Sequence, residues 1–119
     1  MLTIKTHKDL EVWKLSIKFV TDIYLITTNF PKEEMYGIIS QIRRAAVSVP
    51  ANIAEGFGRN TTGELKQFIG IAKGSLSEVE TLIEISFNLN FIDDVTKIKL
   101  NETVQKLFRM LVALKSSLK

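Results

Sequence analysis

The chain contains no cysteine, one histidine, two prolines and one tryptophan. Without cysteine there is neither a disulfide framework nor a thiolate metal site, and the redox compartment is left open. The lone histidine, His7, cannot supply the Glu-x-x-His pairs of a di-iron bundle, so no metal or other cofactor is expected. It also leaves no base within a helical repeat of any nucleophile. Arg59-Asn60 begins the Arg-Asn…His motif of helical ribonucleases, but no histidine follows it. No apolar run is long enough to span a membrane. The first nine residues lack the apolar stretch of a signal peptide, so a cytoplasmic protein is expected. Strand-type alternation is absent too, and apolar residues recur at three and four. A Gly-rich phosphate loop would need a preceding strand, whereas Gly56-Phe57-Gly58 follows a helical pattern. A non-enzymatic protein is the expectation.

The 119 residues suit one domain able to bury its own core. A hydrophobic fraction of 45% and a charged fraction of 24% are ordinary for a soluble globular chain. The net charge of +3 is too small to imply nucleic acid by itself. Its distribution is uneven. Residues 61–90 carry two lysines against four glutamates, and residues 91–119 carry six basic against three acidic side chains. The C-terminal surplus reads either as a solvated helix face or as a binding surface.

The periodicity predicts an antiparallel up-down-up-down bundle of four helices, at about 9–28, 33–56, 62–88 and 93–117. Asp9 is the candidate cap of the first. Its seam is Leu10, Trp13, Ile17, Val20 and Tyr24, and a second stripe, Leu15, Phe19, Ile23 and Ile26, lies beside it. Together they cover more than a core-facing stripe requires, which suggests burial on a second side. Pro31 disfavours helix at Phe30. Glu33 and Glu34 suit the positive end of the next dipole. That second helix carries Met35, Ile38, Ile39, Ile42, Ala46, Val49 and Ile53, and should end near Gly56. Thr61 or Thr62 caps the third, with Glu64 as capping-box partner of Thr61. Its core residues are Leu65, Phe68, Ile69, Ala72, Leu76, Val79 and Ile83. Asp93 or Asp94 starts the fourth, on a seam of Val104, Leu107, Leu111, Leu114 and Leu118.

The stretch from 41 to 59 holds three of the four arginines and a proline inside a helical rhythm. Beside its apolar face run Gln41, Ala45, Ser48, Asn52 and Glu55, spaced four, three, four, three. Gln41, Ser48, Asn52 and Glu55 read either as a wet boundary face or as a partly buried polar network that fixes register. Pro50 cannot donate a hydrogen bond and its ring presses on the carbonyl of Ala46. Either it kinks one helix or it opens a second short one; the unbroken phase of Ile42, Val49 and Ile53 favours a kink near Pro50. The third helix carries a back face of Gly63, Gln67, Gly70, Gly74, Ser77 and Thr81. Interior glycines cost helix stability. Tolerated surface glycines are one reading. A second backbone coming close is the other, which makes Gly70, Gly74 and Ser77 the candidate interface of a homo-oligomer.

The run Val12-Trp13…Phe30-Pro31-Lys32-Glu33-Glu34…Gln41-Ile-Arg-Arg-Ala-Ala-Val-Ser-Val-Pro-Ala-Asn-Ile-Ala-Glu-Gly…Gly74-Ser75-Leu76-Ser77-Glu78-Val79-Glu80 closely resembles the four-helix-bundle family of 23S ribosomal RNA intervening-sequence proteins. That family is similar to the accessory protein of diversity-generating retroelements, a basic homopentamer that binds nucleic acid and a reverse transcriptase. The resemblance implies a pentamer of bundles, and the number five comes from it alone. It implies function only weakly. Arg43, Arg44, Asn52, Glu55 and Gly56 match the family block. Arg43 and Arg44 point about 100° apart on a helix, which separates them on a monomer. One is placed to pair with Glu55 or Glu34 and the other to face outward. Repeated around a ring, an outward arginine would make a charged belt for RNA or DNA backbones, to which Arg59, Lys66 and Lys73 add. Aromatic stacking platforms are not evident, because Trp13 and most phenylalanines fall on apolar seams. The alternative is a scaffold that binds a protein partner without nucleic acid.

Overall fold

A computed structural model describes residues 6–119 as an all-α, antiparallel four-helix bundle. Helix α1 spans Glu11–Thr27, α2 Ile38–Phe57, α3 Thr62–Asn88 and α4 Asp94–Ser117. Sequential helices pack on one another and α1 closes against α4, so α1 and α3 lie diagonally, as do α2 and α4. Ile23, Val49, Ile53, Ile69, Leu76, Ile83, Leu107 and Leu111 are fully buried at the centre. The most extensive contact is between α2 and α3. Small side chains allow it: Ala46 and Ala72 are fully buried there. Gly56 is buried too, and a Cβ on it would lie 2.9 Å from both Leu65 Cδ1 and Phe68 Cβ.

Several boundaries differ from those the sequence suggests, each for a local reason. Asp9 does not cap α1. It closes a 3-10 turn, His7–Asp9, in which the Thr6 amide donates to Asp9 Oδ2 (3.1 Å) and the Lys8 amide to Thr6 Oγ1 (3.2 Å). Helix α1 then starts at Glu11 behind Leu10, which offers no side-chain cap. Glu33 and Glu34 lie in a second 3-10 turn, Lys32–Glu34, ahead of α2. Glu34 still serves the next helix, because its Oε1 accepts from the Ile38 amide at 3.5 Å. Gly56 is not a cap; α2 continues to Phe57, and the Gly58 amide reaches Ala54 and Glu55 carbonyls at 3.2 and 3.1 Å. Of the paired candidates, Thr61 caps α3 and Asp93 caps α4. The Glu64 carboxylate takes the Thr61 hydroxyl at 3.1 Å while the Glu64 amide donates back to Thr61 Oγ1 at 3.1 Å. Helix α2 passes unbroken through Pro50, which is buried; Pro50 therefore does not open a separate helix. Helix α3 ends in a Schellman turn, with Phe91 N to Ser86 O and Asn90 N to Phe87 O both at 2.9 Å. Asn90 takes the left-handed position at φ 63°, which asparagine tolerates better than most residues.

The core seam of α1 falls between the two expected stripes. It is Val12, Ser16, Phe19, Ile23 and Thr27, whereas Ile17 and Tyr24 face solvent. Two polar residues can enter this seam because their hydroxyls find carbonyls of their own helix. Ser16 Oγ donates to Trp13 O and Thr27 Oγ1 to Ile23 O, each at 2.7 Å. Met35 also leaves the expected core and is exposed, because the 3-10 turn breaks the phase that would carry it inward.

The Asp93 cap gives a pH prediction. Its carboxyl is held below the usual carboxylate range, chiefly by the Thr96 backbone amide, which donates to Oδ1 at 2.8 Å. A pKa lower in the folded than in the unfolded chain contributes stability at neutral pH and loses it as the carboxylate protonates. The melting temperature should therefore fall below about pH 4, and Asp93→Asn should make that fall shallower. An unchanged acid limb in the variant would remove Asp93 from the account.

Candidate nucleic-acid interface

The chain reversal after Pro31 brings the C-terminal end of α1 beside the first two turns of α2. Tyr24 from α1, Met35 and Tyr36 from the turn, and Ser40, Arg43, Arg44 and Val47 from α2 line a groove of about 460 Å³. Arg43 is half-buried and firmly held. Its Nε donates to Thr27 Oγ1 at 2.8 Å, its Nη2 to the Tyr24 carbonyl at 3.3 Å, and its guanidinium lies 4.5 Å from the centre of the Tyr24 ring. Tyr24 and Thr27 belong to the last turn of α1, so Arg43 also places a positive charge at the negative end of that helix dipole. Arg44 is exposed and donates from Nη2 to Ser40 Oγ at 3.4 Å.

Among the described residues, Arg43 and Arg44 have no carboxylate within 4.0 Å, while Lys14, Lys18, Arg59 and Lys97 each have one. Arg43 therefore pairs with neither Glu34 nor Glu55. Its partners are neutral, because Glu34 serves the start of α2 and Glu55 holds Arg59 at 3.0 Å. The two arginines also share one groove, contrary to the expectation from the helical wheel. The concave surface between α1 and α2 gathers long side chains that diverge at their Cα atoms.

The other expected basic residues lie elsewhere. Arg59, in the turn between α2 and α3, is neutralised by Glu55 and stacked 4.8 Å from the Phe68 ring centre. Lys66 and Lys73 are half-buried on the flank of α3 that also carries Glu80 and Glu84. That flank faces α4: Gln105 Nε2 donates to Glu80 at 2.7 Å and Lys97 pairs with Glu84 at 3.0 Å. Further along it, a Cβ on Gly70 would lie 3.9 Å from Lys115 Nζ. Arg43 and Arg44 thus form one site, and Lys66 and Lys73 belong to another face of the bundle.

The polar network is smaller than expected and reaches across helices. Ser48 Oγ meets Ser75 Oγ of α3 at 2.8 Å, and Asn52 Nδ2 donates to Ser48 O and Oγ at 2.7 and 2.8 Å. Gln41 and Glu55 are exposed in the single chain and stand outside it, because the stripe they share with Ser48 rotates out of the α2–α3 contact at its ends. Gln41 instead lines a shallow hollow of about 210 Å³ with Arg44, Ser48, Ser75 and Glu78. Ser75 was readable only as part of the Gly74-Ser75-Leu76 motif, with nothing to mark it as the cross-helix partner. On the back of α3, Gly70 is half-buried and Gly74 and Ser77 are exposed. A Cβ on Gly74 would meet nothing within 4 Å.

Tyr36 is the feature that sequence reasoning missed. It is 96% exposed at the mouth of the arginine groove, beside Tyr24 at 42%. Its one signal was its place outside every apolar period, between Pro31 and the first buried residue of α2. Among the described residues, no group of three His, Asp or Glu side chains is placed to hold a metal ion, and no helix is long and apolar enough to cross a membrane.

Comparison with known proteins places this geometry in a wider frame. The profile of a family described as 23S rRNA-intervening sequence protein matches residues 8–113. A search of curated proteins finds no match. Among solved structures, the fold is similar to a crystal structure from Bacteroides thetaiotaomicron VPI-5482, a protein of unknown function from the S23 ribosomal protein family. The TM-score is 0.78 at 20% identity, over 87% of this chain and 97% of that one.

Proposed function

The chain belongs to the family of 23S rRNA-intervening sequence proteins, and from that premise we propose that it is a non-enzymatic, cytoplasmic protein that binds RNA or DNA through phosphate contacts and works as a homo-oligomer. The observation that carries the binding proposal is the pair Arg43 and Arg44, two guanidinium groups in one groove without a carboxylate partner among the described residues. In a chain with 13 acidic side chains, arginines held in place by neutral partners keep their charge available to an external anion. Fork-like guanidinium donors suit phosphate oxygens. Salt-titrated fluorescence anisotropy with a structured RNA and a duplex DNA is the test. Binding that weakens steeply with salt is expected; no binding at low salt would overturn the proposal.

Self-association is supported by the back of α3. Gly63, Gly74, Ser77 and Thr81 are exposed there together with Ile71, Ile85 and Leu89. A smooth stripe flanked by exposed aliphatic side chains suits the approach of a second helix. The resemblance to pentameric relatives suggests five copies, which would repeat the arginine groove around a ring. Gly74→Leu isolates this proposal, because the added side chain meets nothing in the single chain and leucine favours helix over glycine by nearly 1 kcal/mol. Light scattering should show the variant dissociated at a concentration where the parent is assembled, with the bundle still folded by circular dichroism. An assembled variant, or a parent that is monomeric at micromolar concentration, would contradict it.

A second reading, a scaffold for a protein partner, draws on exposed Ile17 and Leu25 of α1 and Val95 and Ile98 of α4. It is favoured if the parent chain fails to bind either nucleic acid.

A further inference from the structure

We propose that the groove between α1 and α2 selects single-stranded nucleic acid, holding phosphates on Arg43 and Arg44 while an unstacked base lies on the ring of Tyr36. This rests on the phosphate-binding proposal above and adds the class of strand to it.

The Tyr36 ring is almost wholly in water, although the same side chain could have been accommodated against Met35 or Val47 in the groove it borders. Single exposed apolar residues are commonplace. Here Tyr24, Met35, Tyr36 and Val47 are exposed together, around two arginines. An aromatic face beside guanidinium donors is the combination on which single strands are held, with bases stacked on the ring and the backbone following the charge. A duplex keeps its bases stacked inside and can offer this groove only phosphates.

The donor inventory agrees. Arg43 uses Nε and Nη2 within the chain, and Arg44 uses Nη2 alone. That leaves Nη1 of Arg43 and both Nε and Nη1 of Arg44 without a hydrogen-bond partner among the described residues. The roughly fixed pose of Arg43 against Thr27 and Tyr24 orients its free edge at no further entropic cost. A groove of about 460 Å³ falls in the range of sites for small organic ligands, enough for one nucleotide. A second copy of the same groove is a poor occupant, since it would bring four unpaired guanidiniums together.

The test uses the full chain and labelled oligo(U), oligo(dT) and a duplex, each about 12 nucleotides or base pairs long. Tyr36→Ala should weaken binding to the single strands about tenfold and leave the duplex unaffected, and Tyr36→Phe should restore it. The solvent position of Tyr36 means that the variant should melt as the parent does. Preference for RNA over DNA single strands would show which sugar the groove favours, with the proposal intact. If Tyr36→Ala binds single strands as the parent does, or loses affinity for the duplex equally, the strand proposal fails while phosphate binding stands. If the parent binds none of the three, both fail.

Discussion

Replacing Arg43 and Arg44 together with alanine is expected to weaken nucleic-acid binding about 100-fold at low salt. Each substitution removes a charge-assisted phosphate contact worth roughly 1.5 kcal/mol, and each 1.4 kcal/mol is a factor of ten. The two changes differ in structural cost. Arg44 is exposed and holds only Ser40 at 3.4 Å, so Arg44→Ala should leave the melting temperature alone. Arg43→Ala also removes the bond to Thr27 and the contact with the Tyr24 ring, which should cost about 1 kcal/mol of stability. Arg59→Ala is the control. With its charge committed to Glu55 at 3.0 Å, its loss should change affinity less than either groove arginine. An equal effect at Arg59 would mean that net charge, and not the groove, governs binding.

The second large effect concerns Gly56. Valine there should lower stability by about 3 kcal/mol, the upper range for overpacking a core, which in a domain of this size is roughly a 10 °C fall in melting temperature. Both neighbours are tight: Leu65 Cδ1 can rotate away from the 2.9 Å approach, but Phe68 Cβ, at the same distance, moves only with the α3 backbone. Even Gly56→Ala should destabilise, against the gain in helix propensity that alanine brings. Gly74→Ala offers the contrast. The same propensity gain meets open space and should raise the stability of the isolated bundle. A stable Gly56→Val variant would mean that α2 and α3 do not approach as closely as described.

The bundle was legible because its apolar residues recur with helical period, so Ile38, Ile42, Val49, Ile53, Leu76 and Ile83 could be assigned to the core and are buried there. Helix starts were less so. Asp9, Glu33 and Glu34 carry cap-like chemistry in 3-10 turns that precede the helices, and nothing in composition separates the two uses. The seam of α1 was misassigned because Ser16 and Thr27 are polar by type yet buried by virtue of hydrogen bonds within their own helix. Gly56 looked like a terminator and is a close-contact residue, a distinction that depends on what α3 places opposite it. The arginine groove was half legible. Its charges stood out, but its aromatic wall depended on Tyr36 leaving the helical period and on Tyr24 turning from the core. Tertiary packing decides both.

The central claim is that Arg43 and Arg44 make phosphate contacts from one groove. The most direct measurement is the slope of log K against log salt for a short RNA, in the parent and in the Arg43→Ala/Arg44→Ala variant. The account predicts a linear fall for the parent and a slope shallower by about 2 for each protomer engaged in the variant, roughly one unit per lost phosphate contact. Identical slopes in the two proteins would contradict it.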